Sequence, residues 1–448
     1  MSENEFKLPQ GWLRDGSLLY RPYLNPKPSR AFAIFDMDNT LMVTPSYYVE
    51  ELARGMDLPK AKPAIENDYV LFAPNVREKL QTEHSNGRGV LIFSNQRGML
   101  NNVPLAYVII ARIELLLKDL DVPLYIILAT EHNICRKPGP GMLLYYEKHL
   151  NGGIKVDRKS SIYVGDAAGR KQTRETAKIM MQNLLHMLKS TDFTDHKYKQ
   201  KDKNGNLIPV DAESIIKKLT ISKLRNWMVS DFSDCDLKFA LNNDIPFNTP
   251  DEYFYGLDQP TPVIDLVPSE IGSQPFFPPI SNGLIIIVGP PSSGKTFFCA
   301  NLFPNFVRIT PDDFPTLEAC NKEIAKILKT GKNVIIDGTN HLYKIRASFI
   351  KTGKGAGVTV SLVYINVKLP FPTHVNKLKM MLSDEFSIGL IGETLKPVPS
   401  IVYGKGKITT YFRNLQPPSL DEGMEGLFTL SETTFPFTHN AFSKIYLP

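Results

Sequence analysis

Residues 31–41 read AFAIFDMDNTL, an apolar strand that runs into two aspartates, Asp36 and Asp38. Their spacing of two along an extended chain turns both carboxylates to one face. In a parallel sheet the carboxyl ends of the strands border the ligand crevice, which puts this pair where a substrate and a metal ion bind. The same letters also suit a turn or a cap, because Asp and Asn favour such positions. Working outward, three more strand ends weigh against that plainer reading. GVLIFSNQ (89–96) carries Ser94, CRKPGPGM (135–142) supplies Lys137, and SIYVGDAAGR (161–170) ends a strand with Asp166. Together they offer a nucleophilic carboxylate, a hydroxyl and a cation for phosphoryl oxygens, and a metal-binding acid. The apolar runs at 31–35, 90–93, 124–128 and 161–164 are separated by stretches of helical periodicity, which predicts an α/β fold for this half.

The second half is organised around IIIVGPPSSGKTFF (285–298), a match to G-x-x-x-x-G-K-[ST] that follows a strongly apolar strand and opens a helix. Gly289 and Gly294 permit the tight backbone path, and main-chain N–H groups cradle phosphates at the helix N-terminus. Lys295 reaches the β- and γ-phosphates, and Thr296 ligates Mg²⁺. VRITPDDF (307–314) ends another strand with Asp312 and Asp313, and Asp312 is the choice for a base that accepts a proton from an attacking hydroxyl. The competing reading makes Thr310 or Asp312 a helix N-cap. Asp337, in NVIIDGTNHLYKIR (333–346), is read two ways, as a metal partner or as a strand-end cap. Arg346 and Arg413 are candidate phosphate contacts or structural arginines. Strand-like runs at 284–288, 333–336 and 358–365 predict a parallel sheet covered on both faces.

A chain of 448 residues exceeds what one core usually serves. Prolines 260, 262, 268, 275, 278 and 279 mark residues 257–280 as a linker between domains at 1–256 and 281–448. Residues 170–230 form an insertion, with a helix expected near 173–188 and an exposed loop near 195–206. Its basic stretches at 197–203 and 217–225 either line a nucleic-acid path or form a solvated face. Tyr253, Phe254 and Tyr255 fit core packing better than base stacking. The content is 42% hydrophobic and 22% charged, which argues against a coiled coil, a collagen-like repeat or a disordered chain. Cys135, Cys235, Cys299 and Cys320 are scattered without a C-x-x-C pair, which suggests neither a zinc site nor a disulfide framework. The polar N-terminus and short apolar runs predict a soluble protein that is not secreted. A net charge of +6 is too small for this length to name a partner.

The order Asp36-x-Asp38, Ser94, Lys137, Asp166 resembles the haloacid dehalogenase superfamily of phosphatases, whose fold is Rossmann-like. That resemblance implies that Asp36 attacks phosphorus and Asp38 acts as acid and then base. It further implies that Asp36, the Asp38 main-chain carbonyl and Asp166 hold Mg²⁺, and that Ser94 and Lys137 grip the phosphoryl oxygens. Asn39 stands where that superfamily usually has Gly, and Asn tolerates positive φ.

Over nearly the whole chain the sequence is similar to eukaryotic polynucleotide kinase 3′-phosphatases. The shared features include Gly11-Trp12, RKPGPGM, YVGDAAGR, DFSDCDLKFALNNDIPFNTPDEYF (231–254), IDGTN and YFRNLQPPSLDEG (411–423). The resemblance implies removal of 3′-phosphates and ATP-dependent phosphorylation of 5′-hydroxyl ends, DNA more than RNA, in strand-break repair. A monomer with no membrane partner is expected, nuclear in a cell or in the intracellular replication compartment of a virus. The family's forkhead-associated module is expected to be missing. Pro311 replaces the family's Arg before the base, and HVNKLKMM (374–381) offers Lys377 and Lys379 for lid arginines, with Lys377 the choice for contact with the nucleotide. Two alternatives stand beside this reading. One is a phosphatase fused to a metabolite kinase. The other is a 3′-phosphatase whose weakly active kinase half binds nucleotide as a scaffold.

Overall fold

The computed structural model describes residues 6–44, 68–170, 199–201, 204, 206–209, 231, 233–258, 262, 264–382, 389–390, 402–436 and 444–447. It divides into two compact α/β units, one formed by Met1–Ile264 and the other by Asp265–Ile388 with Glu393–Leu447.

The first unit is built on a seven-stranded sheet. Its strands are β1 (Leu13–Asp15), β2 (Leu18–Tyr23), β3 (Phe32–Phe35), β4 (Gly89–Asn95), β5 (Leu124–Ala129), β6 (Ile162–Val164) and β7 (Phe247–Asn248). They lie in the order β1-β2-β5-β4-β3-β6-β7. From β5 to β7 every pairing is parallel, while β1 and β2 form an antiparallel edge against β5. Alternate side chains separate the faces. Ala33, Phe35, Val90, Ile92, Ile126 and Leu128 share a core with Val76 and Leu80 of α1 (Val76–Ser85) and with Ile113, Leu117 and Leu120 of α2 (Val103–Leu120). Each fully buried Val, Leu, Ile or Phe among them contributes roughly 1.5–3 kcal/mol. Phe93 and Tyr163 meet Phe239 of α3 (Cys235–Asn242) on the other face, at ring distances of 5.8 and 4.9 Å. The following helix, α4 (Pro250–Tyr255), starts on a capping box between Thr249 and Glu252.

The sheet of the second unit is wholly parallel, in the order β9-β10-β8-β11-β12. Its strands are β8 (Leu284–Val288), β9 (Val307–Ile309), β10 (Val334–Ile336), β11 (Val360–Ile365) and β12 (Gly426–Leu430). Both faces are covered, as the unbroken apolar run of β8 requires. The helices are α5 (Lys295–Leu302), α6 (Leu317–Lys329), α7 (Tyr343–Gly355), α8 (Pro370–Leu382) and α9 (Lys405–Asn414). Leu284, Ile286 and Val288 pack with Ile324 and Leu328 of α6 and Phe349 of α7. Ile285 and Ile287 pack with Phe298 of α5 and with Phe371 and Val375 of α8.

Two expectations change. Much of the stretch read as a linker belongs to the second unit, since the border falls after Ile264 and Ile271 lies in that unit's core. Gly272, Gln274 and Phe276 donate their N–H groups to the carbonyls of Glu432, Thr433 and Thr434 at 2.9–3.0 Å. Proline spacing blocks helices and central strands, yet it leaves the intervening N–H groups free to pair. In the insertion, part of the stretch read as a loop forms an antiparallel ribbon, Lys199–Lys201 with Leu207–Pro209. The helix expected near 173–188 and the basic stretch at 217–225 lie outside the described residues. Among the described residues no helix is long and apolar enough to cross a membrane.

Candidate functional site

In the first unit the expected residues meet at the carboxyl ends of β3, β4 and β6 and in the loop after β5. The loop after β3 turns sharply. Leu41 and Met42 donate to the Met37 carbonyl at 3.0 and 3.1 Å, Asn39 donates to the Met42 carbonyl at 2.7 Å, and Asn39 adopts φ +57°. Asn therefore fills the left-handed position directly. The Asp36 N–H is held by the Val164 carbonyl of β6 at 2.8 Å, and the Asp36 side chain is buried. Lys137 is placed by its main chain, whose N–H donates to Asn95 Oδ1 at 2.9 Å while Asn95 Nδ2 donates to the Lys137 carbonyl at 3.1 Å.

The Lys137 ammonium, 3% exposed as a residue, contacts the Asp36 carboxylate, donates to Tyr163 Oη at 3.0 Å and pairs with Asp236 at 2.7 Å. Asp236 belongs to this cluster and was not singled out in the sequence. It sits in the first turn of α3 and also accepts from Tyr163 Oη at 2.7 Å and from the Ala167 N–H at 3.0 Å. Asp36, Asp166 and Asp236 each bring a carboxylate oxygen within 4.8 Å of the others. This all-oxygen, anionic set suits a hard divalent cation such as Mg²⁺. The Asp38 carboxylate lies beside this trio without joining it. It accepts from Gln96 Nε2 at 2.8 Å and Ser94 Oγ at 3.4 Å, and Gln96 Nε2 also reaches Ser94 Oγ at 2.9 Å. Gln96 is the second residue missed.

Burial dominates the electrostatics of this cluster. It pushes the Asp36 carboxyl up to about 7, with Lys137 pulling the other way. It raises Asp38 as well, against the opposing charges of Arg112 and Lys137. Burial lifts Asp166 far above the carboxylate range, and Asp236 and Asp36 add to the rise. Lys137 feels burial most, in the downward direction, yet Asp236 and Asp36 together hold its ammonium above the ordinary lysine range. The loop carrying Asp166 is braced from behind. Arg170 Nε donates to Asp231 at 2.9 Å, Arg170 also pairs with Asp251 at 3.2 Å, and Asp231 accepts the N–H groups of Ala168 and Arg170 at 3.0 Å.

In the second unit β8 runs into the glycine-rich loop, with Gly294 at φ +82° and α5 beginning at Lys295. A Cβ on Gly289 would meet Ile365 and Ser293 at 3.0–3.1 Å, which accounts for the first glycine. Thr296 Oγ1 donates to Asp337 Oδ2 at 2.8 Å and Arg308 reaches the same oxygen at 3.0 Å. Asp337, left open between two readings, therefore joins the threonine expected to ligate metal. Lys295 Nζ donates to the Pro290 carbonyl at 2.6 Å. Burial lowers Lys295 to about 8, Asp337 opposes this and Lys379 adds to it.

Asp312 lies exposed in a short turn, Pro311–Asp313, close enough to act electrostatically on Lys295. Thr310 makes no side-chain cap there, and the cap of α6 is Thr316, which accepts from the Ala319 N–H at 3.1 Å. Of the two lysines read as lid substitutes, Lys379 acts electrostatically on Lys295, and Lys377 is half-buried on the same helix.

Arg346 corrects an expectation. It is fully buried, its guanidinium pairs with Glu422 and donates to the Asn340 carbonyl at 3.1 Å, so its charge is consumed inside the unit and does not face a phosphate. Arg413 is exposed on α9. Tyr253 and Phe254 pack against Phe35 at 5.6 and 6.5 Å, as core residues do, whereas Tyr255 is exposed and donates its hydroxyl to the Phe72 carbonyl at 3.2 Å.

Comparison with known proteins follows the same division. The model of the polynucleotide kinase 3 phosphatase family matches residues 31–254, half of the chain. A bifunctional polynucleotide phosphatase/kinase of Schizosaccharomyces pombe is 23% identical over 92% of this chain and 82% of its own length. A provisionally named bifunctional polynucleotide phosphatase/kinase of Acanthamoeba polyphaga mimivirus is 24% identical over 96% of this chain and 91% of its own. The polynucleotide 3′-phosphatase ZDP of Arabidopsis thaliana is 34% identical over 25% of this chain and 18% of its own. With its aspartate cluster at the strand ends of one α/β unit and the matching model laid over that unit, the chain belongs to the polynucleotide kinase 3 phosphatase family.

Proposed function

We propose that this chain heals nucleic-acid ends, removing a 3′-phosphate in its first unit and phosphorylating a 5′-hydroxyl with ATP in its second. The observation that carries the reading is the convergence of Asp36, Lys137, Asp166 and Asp236, brought together from distant parts of the chain, beside a separate Asp38 held by Ser94 and Gln96. Asp36 forms the bond to phosphorus and the 3′-oxygen leaves with a proton from Asp38. Burial raises Asp38, the direction that favours the protonated acid. In the second step Asp38 takes a proton from water, the water oxygen bonds phosphorus, and the bond to Asp36 breaks to release phosphate. Ser94 and Lys137 steady the phosphoryl oxygens. Asp36, Asp166 and Asp236 would hold Mg²⁺, which lessens the repulsion between an anionic nucleophile and an anionic phosphate.

In the second unit the loop N–H groups and Lys295 cradle the nucleotide phosphates. Thr296 and Asp337 form the polar pair beside them, and Asp312 takes the proton of the incoming 5′-hydroxyl. The names and near-complete coverage of the fission yeast and mimivirus relatives support polynucleotide ends as the substrate class. DNA ends in strand-break repair are the proposed setting.

The test compares turnover of a 3′-phosphorylated oligonucleotide with that of small sugar phosphates, and label transfer from ATP to a 5′-hydroxyl oligonucleotide with transfer to a nucleoside. Preference for the oligonucleotides in both assays is expected. Equal or faster turnover of the small molecules would make the chain a metabolite phosphatase joined to a metabolite kinase.

A further inference from the structure

Ser292, inside the glycine-rich loop, sits at φ +61°, in the left-handed region that a residue bearing a Cβ enters only at a cost. It is buried, and its hydroxyl donates to Asn376 Oδ1 at 2.8 Å. Asn376 lies on α8, and its amide is engaged on both sides. Oδ1 also accepts the Tyr403 N–H at 2.9 Å, and Nδ2 donates to the Tyr403 carbonyl at 2.9 Å. A carboxamide that pairs with both main-chain groups of one residue behaves like an adjacent strand and is fixed in a single orientation. The oxygen offered to Ser292 is therefore held in place by the main chain of Tyr403.

We propose that Asn376 is a positioning residue for the phosphate-binding loop. By holding Ser292 Oγ it keeps the loop in the left-handed turn that aims main-chain N–H groups at the phosphates of a nucleoside triphosphate. The inference rests on reading this loop as the nucleotide site. Asn376 acts through Ser292 alone. The turn is needed for ground-state binding as much as for reaction, so its loss raises KM for ATP and leaves kcat largely intact.

The experiment is steady-state phosphorylation of a 5′-hydroxyl oligonucleotide by the full chain at varied ATP. Asn376→Ala and Ser292→Ala should each raise KM for ATP about fivefold, the scale of one hydrogen bond. The double variant should be no worse than either, because both changes remove the same contact. Ser292→Gly adopts the left-handed turn without strain, so adding it to Asn376→Ala should return KM toward that of the parent chain. That rescue also separates loop geometry from a general loosening of α8, since the Tyr403 contacts remain lost in the rescued variant. Penalties that add in the double variant, a fall in kcat at unchanged KM, or failure of Ser292→Gly to restore KM would each overturn the proposal. A Lys295→Ala arm is kept separate, because unchanged ATP use in that variant would overturn the nucleotide reading itself.

Discussion

Both candidate sites sit at the carboxyl ends of parallel strands, yet they hold their charges in opposite ways. In the first unit Lys137, Asp36, Asp236 and Tyr163 are sealed into one cluster, where the ionisations of Asp36, Lys137 and Tyr163 depend on their neighbours. In the second, Lys295 turns to the Pro290 carbonyl, Asp312 is exposed, and Arg308, 46% exposed along its side chain, reaches Asp337 from outside. A buried cluster transmits a change of charge through low dielectric, whereas an open rim screens it. A single substitution should therefore spread through the first site, whereas one at the exposed Arg308 or Asp312 should stay local in the second.

The largest effect tests whether the two sites are separate at all. Asp36→Asn should lower 3′-dephosphorylation by about 10⁴ or more, with 5′-phosphorylation untouched. Lys295→Ala should do the reverse, lowering 5′-phosphorylation by about 10²–10³. Both are read with end-labelled oligonucleotides, and loss of both activities in either variant would merge the sites. A smaller effect tests the contrast in coupling. Asp236→Asn, which disturbs Lys137 and the acidic trio together, should cost the phosphatase about 10–100-fold and raise its Mg²⁺ requirement. Arg308→Ala, which removes a solvent-screened partner, should change kinase turnover by less than about threefold. Comparable losses in the two variants would erase the distinction.

The smallest effect is a shift in stability with pH. The folded chain keeps the Asp36 proton up to about 7, while an ordinary aspartate releases it near 3.8. The folded state therefore binds more protons across that window. Without a divalent cation, the contribution of Asp36 to stability is greatest at the acid end and is lost as pH rises through it. A cation at the acidic trio displaces the proton. The thermal upshift given by MgCl₂ should accordingly grow by a few degrees between about pH 5 and about pH 8, measured by calorimetry on the intact chain. An upshift independent of pH, or one that shrinks, would remove Asp36 from the cation site.

What could be read from the sequence was whatever carries its signal locally. β3, β4, β5, β6 and β8 are apolar runs, and the residues marking their ends or the loops beyond them, Asp36, Ser94, Lys137, Asp166 and Gly289, have the chemistry their place requires. Asp236 escaped because an acid in a first helical turn is already explained by the helix dipole, and nothing nearby announces Lys137, 99 residues earlier in the numbering. Gln96 escaped because an amide beside a serine hydroxyl has no motif. Arg346 misled for the converse reason, since its partner Glu422 lies 76 residues away and only folding reveals the pair. The edge strand β1 is exposed throughout and joins β2 through Gly16 and Ser17, so no apolar period marks it. β7 is too short to show a period at all.

The pairing of residues 272–276 with residues 432–434 has a practical consequence. Phe435 follows directly, packs against Phe298 at 5.8 Å, and lies under Gly294 of the phosphate-binding loop. A kinase fragment begun at residue 281, where the apolar sequence resumes, would discard Ile271 and the flanking ladder and leave the floor of that loop unbraced. The natural place to cut is ahead of Asp265, so that the proline-rich stretch travels with the domain it props up.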